Sequence, residues 1–575
     1  MSIFKKITSF FSKDKTPTVE PIDIFTSTEE VGVVSISEEL PISTPIVKPS
    51  FLEDFKNEAI KPQLPFNIEN LYTHQKDSLE VIKTSDKGIV CMPTGTGKSI
   101  TQAVCISDDI IANSNSFRMY VVNAPRIILT YQLLKEVYKV LVSRGIDARY
   151  MFVHSGGTTN ETELESIRMS SVIEGNVIPY SQIISGTSVE DIKDMMLKAQ
   201  TENLPIIFFS TYNSAENIEK ARKIACLLKI SITISDEAQY LVQEQFHDIL
   251  HVLTSNRSYF FTATTIHTPS DSGRGMNNTD VYGDVLYSMT PRQAIKLGFM
   301  VRPRMHFVTT AGIYTPDDYN KSLPFIIKDT FTQHATVLGS VLPKILISVK
   351  GTQDIKKFLG SKECKNLIDN DVMIFAIASN DEIGCTVNNE RVRRQDFLRI
   401  LKICGEDRTK KLIVLHYDIL SEGLDISGFT GIMPLRSLSK SKFLQTYGRA
   451  ARLDPSDRAN LKDGSLSPDE LDKMNKPYAY VIIPNITNNN EDDKANFVQL
   501  VKELREYGFD ASEDIVCSEM KRGIPEVENL NRLNDVDRRI PNFGKLIQDL
   551  EMNIEAEADA KLTKEEFLNK ILDDL

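Results

Sequence analysis

Residues 91–100 read Cys-Met-Pro-Thr-Gly-Thr-Gly-Lys-Ser-Ile, a set of residue types and spacings suited to holding phosphates. In a phosphate-binding turn, successive backbone N–H groups wrap the anion at a helix N-terminus, where the helix dipole adds to the attraction. Glycine is needed where φ must be positive or where a Cβ would strike a phosphate oxygen. The loop Thr94-Gly95-Thr96-Gly97 meets that need and runs directly into Lys98 and Ser99. Lys98 is placed to reach the outer phosphates of a nucleotide, and the Ser99 hydroxyl to ligate Mg²⁺. The departure is Met92, which stands where G-x-x-x-x-G-K-[ST] has its first glycine.

A second constellation lies downstream in "ISITISDEAQ". Asp236 ends an apolar strand, where a carboxylate can hold Mg²⁺ through water. Glu237 beside it can orient and deprotonate an attacking water. An acidic turn after a strand is common in isolation, and it gains meaning from the phosphate loop upstream.

These residues need a scaffold that brings strand ends together. "KGIVCM", "RMYVVNA", "PIIFFST", "ISITIS" and "SYFFTAT" are short apolar runs alternating with amphipathic stretches. "PKILIS", "DVMIFAIAS", "KKLIVLHYD", "TGIMPL" and "YAYVIIP" form a second such series. Runs of this kind predict buried parallel strands in α/β layers, hence two α/β domains joined near residue 300. The expected division is a flexible N-terminal segment (1–65, rich in Ser, Thr, Glu and Pro), a nucleotide-binding domain (66–300), a second α/β domain (301–490) and a charged, helical C-terminal extension (491–575). "MSIFKKITSFFSKDK" can be read as an amphipathic docking helix or, more simply, as a loosely ordered tail.

The ordered set of fragments resembles superfamily 2 helicases and translocases of the DEAD/DEAH-like kind, with D-E-A-Q as the box. In that superfamily the first loop position is often not glycine, which accounts for Met92. The resemblance covers roughly 70–490 and implies two tandem RecA-like domains using ATP and Mg²⁺. It assigns Gln75 to the adenine edge, "NAPRIILTYQ" (with Arg126) and "STYNSAENI" (with Thr211) to a nucleic-acid backbone, and Thr262 and Thr264 of "FFTATT" to coupling. In the second half it places Gly423 and Asp425 of "LSEGLDISG" near nucleotide and strand. Gln445, Arg449 and Arg452 of "QTYGRAAR" point to the γ-phosphate, and Ser348 of "LISVKGTQD" contacts a strand. Arginines contributed by the second domain would make hydrolysis depend on cleft closure. Within the superfamily, "VYGDVLYSMTPRQAIKLGFMVRP" is similar to the junction of type I/III restriction translocases and related viral or phage helicases.

The expected activity is ATP-driven movement along nucleic acid, DNA rather than RNA. An RNA helicase, or a dead motor serving as a scaffold, is the alternative. A restriction-type nuclease would need Asp514, Glu519 and Lys521 to act as a D…E-x-K set, a triplet common by chance in charged tails. "ERVRRQ" (390–395) reads equally as a basic track or a solvated helix face. No role emerges for 155–200; the terminal segments are candidate docking sites for a protein partner.

Composition sets limits on all this. A net charge of −12 excludes a bulk-basic packaging protein, though not a local basic groove. The seven cysteines show no C-x-x-C, so the expectation is a reduced intracellular protein without a zinc framework, cytoplasmic or associated with a virus or plasmid. No apolar run approaches the ~20 residues of a membrane span.

Overall fold

The computed structural model describes residues 65–154, 178–268, 273–309, 316–378, 383–417, 428–436, 438–484, 500–505, 507–509, 514–521 and 524–529. Two sheets organise them. The first contains β1 (Lys87–Cys91), β2 (Met119–Ala124), β3 (Arg149–Val153), β4 (Ile183–Ser185), β5 (Ile206–Thr211), β6 (Ile230–Ser235), β7 (Ser255–Thr262) and β8 (Asp284–Ser288). Their spatial order is β4-β3-β5-β2-β6-β7-β1-β8, and every pairing is parallel. β2, β5 and β6 are buried along their whole lengths, as strands covered by helices on both faces must be.

The second sheet contains β9 (Arg302–Thr309), β10 (Lys344–Ser348), β11 (Val372–Ile377), β12 (Cys385–Val387), β13 (Glu390–Arg391), β14 (Lys411–His416), β15 (Gly431–Pro434), β16 (Tyr478–Pro484), β17 (Ile515–Lys521) and β18 (Ile524–Asn529). The order is β13-β12-β11-β14-β10-β15-β16-β9-β17-β18, parallel through the middle with two antiparallel pairings at one edge (β13-β12-β11) and one at the other (β17-β18). These are the two parallel-stranded α/β units that the two series of apolar runs predict, in the tandem RecA-like architecture that the family resemblance implies. In open sheets of this kind the carboxyl ends of the strands form the crevice where ligands bind. Those ends carry Met92, Arg126, Thr211, Asp236, Thr262 and Ser348.

The C-terminal extension differs from the helical expectation. β17 pairs in parallel with β9, and β18 folds back on β17, so this part of the chain widens the second sheet. Residues 515–518 are buried in series, a run too short and too closely flanked by charges to stand out in the sequence. Asp514 opens this strand, and Arg302 reaches its carboxylate with two guanidinium nitrogens: Nε and Nη2 donate to Oδ2 at 3.2 and 3.0 Å, and Nε lies 3.0 Å from Oδ1. That bidentate pair commits Asp514 to holding β17 against β9, and among the described residues no His/Cys/Asp/Glu cluster suited to a metal ion occurs. The Lys521 side chain, the N-terminal amphipathic run and residues 155–177 lie outside the described part.

Asp514 is 2% exposed, so its removal strands the Arg302 charge in a half-buried position. Asp514→Ala should therefore cost roughly 1–3 kcal/mol, read as a lower urea midpoint for unfolding of the second sheet. An unchanged midpoint would show that the pair contributes nothing to seating the added strands.

Candidate ATP-binding cleft

The phosphate loop leaves β1 and turns into helix Lys98–Ala112. Gly95 and Gly97 adopt left-handed φ values of 91° and 89°. Gly97 is also sterically fixed, since a Cβ there would sit 2.2 Å from Gln75 Nε2. Lys98 is 8% exposed and its ammonium donates to the carbonyls of Met92 (2.9 Å) and Pro93 (3.4 Å), so it lies folded along the inside of the loop. Ser99 follows it, partly exposed at the helix start.

Gln75 sits behind this loop. Its Oε1 accepts from Tyr72 N–H at 3.0 Å and its Nε2 donates to Gly97 O at 3.3 Å, so at 4% exposure the amide braces the loop. His74, one residue earlier, places Nε2 2.7 Å from Thr96 O, a contact absent from the motif reading. Burial lowers the His74 pKa, and since a carbonyl oxygen can only accept, the ring donates its Nε2–H to Thr96.

β6 delivers the acidic pair. Asp236 is 6% exposed and accepts from Gln102 Nε2 at 2.7 Å. Burial first, then the neighbouring Glu237 charge, pushes its carboxyl up to about 7 against the opposing pull of Lys98. Glu237 itself stands at φ 51°, a left-handed backbone that a non-glycine residue rarely adopts. Gln239 Nε2 donates to Glu237 Oε2 at 2.8 Å, and the Thr262 hydroxyl lies 2.6 Å from both Gln239 Oε1 and Thr264 O. Glu237, Gln239, Thr262 and Thr264 thus form one continuous polar line. Gln102 could have been anticipated, since it lies one helical turn beyond Lys98. Gln239 is the last letter of the box, but only the fold shows what it touches.

The opposite wall is helix Lys440–Ala450 and the turn after it. A Cβ on Gly448 would lie 3.2 Å from Thr94 Cβ, and one on Gly95 would lie 3.7 Å from Arg452 Cγ. The arginine-bearing turn therefore packs directly on the phosphate loop. Arg449 is 5% exposed, and Gln445 Nε2 approaches the Tyr240 hydroxyl at 3.5 Å. Thr94, Gln239 and Thr264 on one side, with Leu444, Gln445 and Tyr507 on the other, enclose a cavity of about 40 Å³. Lys476, buried at 5% exposure, donates to Arg452 O at 2.5 Å, and desolvation lowers its ammonium to about 7.

The three backbone-contact candidates fare differently. Arg126 is exposed beyond β2, at the N-terminus of helix Ile127–Ser143. Thr211 is 9% exposed and its hydroxyl donates to Ser214 Oγ at 3.1 Å. Ser348 is 1% exposed with its Oγ 2.9 Å from His416 Nε2. Gly423 and Asp425 lie outside the described residues.

Residues 72–272, which hold the phosphate loop and the acidic pair, match the DEAD/DEAH box helicase family. The chain carries a DEAD/DEAH box helicase domain. This superfamily 2 domain ends within the first sheet, and the second sheet and its arginines follow it. No curated protein matches the sequence. Among solved structures, the ATP-dependent Type ISP restriction-modification enzyme LlaBIII bound to DNA has a similar fold, at TM-score 0.57 and 16% identity. The likeness covers 84% of this chain and 33% of that one, so this chain spans about a third of that enzyme's length. A nuclease-deletion mutant of the Type ISP enzyme LlaGI in complex with a DNA substrate mimic gives TM-score 0.48 at 17% identity, covering 76% of this chain and 29% of that one. Mss116p bound to ssRNA and AMP-PNP gives 0.45 at 14%, covering 80% and 87%. Among the described residues, no helix is long and apolar enough to cross a membrane.

The raised pKa of Asp236 fixes a sign. A carboxyl that binds its proton more tightly in the folded than in the unfolded chain stabilises the fold at low pH, and that contribution is lost as pH rises from about 4 toward 7. Asp236→Asn should therefore raise the melting temperature, and by more at pH 8 than at pH 5. Equal shifts at both values would mean that Asp236 titrates as an ordinary carboxylate.

Proposed function

We propose that the protein is an ATP-driven nucleic-acid motor that moves along DNA, hydrolysing ATP between its two sheets. The observation carrying this reading is the seating of the Arg452 turn on the phosphate loop. It places a fixed positive charge, supplied by the second sheet, beside the groups that would hold the triphosphate. A helicase domain with a second RecA-like sheet accounts for the coupling to nucleic acid. DNA is favoured because the fold is shared with a restriction enzyme solved on DNA.

The residues fit the ligands that this reading requires. The left-handed glycines open the loop's N–H groups, and Lys98 needs only to leave the Met92 and Pro93 carbonyls to reach the outer phosphates. Asp236 and Ser99 would hold Mg²⁺, which when bound neutralises phosphate charge. The Asp236 carboxylate, buried and short of compensation, is a site where a cation would restore the charged form.

The chain's own groups then have distinct tasks. Glu237 orients a water and accepts its proton. Gln239 fixes Glu237 and links it to Thr262 and Thr264, so a shift at the acidic pair is felt at the end of β7. Arg449 and Arg452 stabilise charge on the transferring phosphoryl group only when the walls are together. Parting and closing of the two walls around the nucleotide is the stroke.

Steady-state ATP hydrolysis by the full chain, measured without polymer and with single-stranded DNA, duplex DNA or RNA, tests the reading against a Glu237→Gln blank. Stimulation by DNA is the expected result, and stimulation by RNA alone would replace the track. Lys98→Ala should abolish turnover. Arg452→Ala should leave ATP binding within about twofold while lowering hydrolysis by 10²-fold or more, roughly the scale of such arginines. Weakened binding with normal hydrolysis of bound ATP would remove Arg452 from the transition state.

A further inference from the structure

The segment joining the two sheets grips both walls of the cleft. At its start, Met289 N–H donates to Cys91 O at 2.9 Å, just before the phosphate loop. At its end, Val301 N–H donates to Ala451 O at 2.9 Å and Met300 forms an isolated antiparallel bridge with Arg452. Helix Pro291–Lys296 lies between, opened by a capping box of Thr290 and Gln293. It closes with Gly298 at φ 72°, where Gly298 N–H bonds Ile295 O (2.9 Å) and Phe299 N–H bonds Ala294 O (2.8 Å). This is a Schellman turn, which fixes the direction of the residue after the glycine.

The turn directs Phe299 onto the first-sheet wall. Its ring centroid is 4.5 Å from that of His74 and 4.8 Å from that of Tyr72. His74 in turn holds Thr96 O inside the phosphate loop at 2.7 Å. The contacts thus run from Thr96 to His74, to Phe299, and through the next peptide to Met300 and Arg452. Lys476 holds the Arg452 carbonyl from the other side, but it stands just before β16 and fixes Arg452 only within its own sheet.

We propose that Phe299 is a positioning residue for Arg452: through its tilted ring contact with His74 it sets the distance between the phosphate loop and the arginine brought across the cleft. This rests on the motor reading above. The physical reason is reach. Arginine has a long flexible stem, so the place of its guanidinium depends on where its backbone is pinned. Misplacement of a reacting group by about 1 Å can cost on the order of 10²-fold in rate. The clamp on the Met300 side of Arg452 leads back to the loop through Phe299 and His74.

The test is a double-mutant cycle on ATP hydrolysis by the full chain, using steady-state and single-turnover rates for wild type, Phe299→Ala, Arg452→Ala and the double variant. Phe299→Ala should lower kcat about tenfold with KM for ATP within about twofold, and should add no further loss once Arg452 is alanine. Phe299→Tyr, which keeps the ring, should restore most of the rate. If Phe299→Ala does not fold, as judged by circular dichroism, Phe299→Leu takes its place in the cycle. Wild-type turnover in the alanine variant, or the same tenfold loss repeated on the Arg452→Ala background, would overturn the proposal alone. A wild-type chain that hydrolyses no ATP would overturn the motor reading and this inference with it.

Discussion

A carboxylate held out of water at the end of a buried strand is the constraint on which the cleft depends. Asp236 cannot be solvated where β6 leaves it, so its surroundings are arranged around its charge. Gln102 donates to it, Lys98 lies close enough to oppose its protonation, and Glu237 crowds it. A well-packed apolar residue there would stabilise the fold. Keeping a carboxylate instead makes sense only if something positive arrives, and the loop of β1 lies next to it for that purpose.

The polar line from Glu237 through Gln239 to Thr262 extends this local cost into geometry. Glu237 holds a left-handed backbone, which sets it apart from the run of β6 and turns its side chain toward Gln239. Thr262 ends β7, and β7 lies between β6 and β1. The three strands that carry the phosphate loop, the acidic pair and the threonines are therefore neighbours, and a displacement at one is transmitted by hydrogen bonds of 2.6–2.8 Å to the next. Rigid, short, fully paired contacts of this kind have few intermediate positions, which suits a device that works between two states.

How much of this was legible depended on whether the information was local. Strands buried on both faces, such as β2, β5 and β6, show as unbroken apolar runs, and the ten runs read from the sequence are strands. β9 hides because Arg302, Arg304 and His306 interrupt it, and β17 because its apolar run is brief. Lys98, Asp236 and Glu237 announce themselves as adjacent letters, as the motif demands. The contact of Phe299 with His74, and that of Gln239 with Thr262, come from residues far apart in sequence and belong to tertiary packing. Position within a motif likewise does not announce that the Thr211 and Ser348 hydroxyls bond Ser214 and His416, contacts that only the fold supplies.

The pairing of β17 with β9 bears on how the chain tolerates being shortened. β9 is the first strand after the joining segment, and one of its edges pairs with residues 514–519, the Asp514 carbonyl accepting from Met305 N–H at 2.8 Å. A chain cut ahead of Asp514 would keep every residue of the cleft yet expose a long, largely buried strand as a bare edge, the surface that invites one molecule to add to the next. Such a fragment would be a candidate for self-association, and lost solubility in it would say nothing about the chemistry of the cleft.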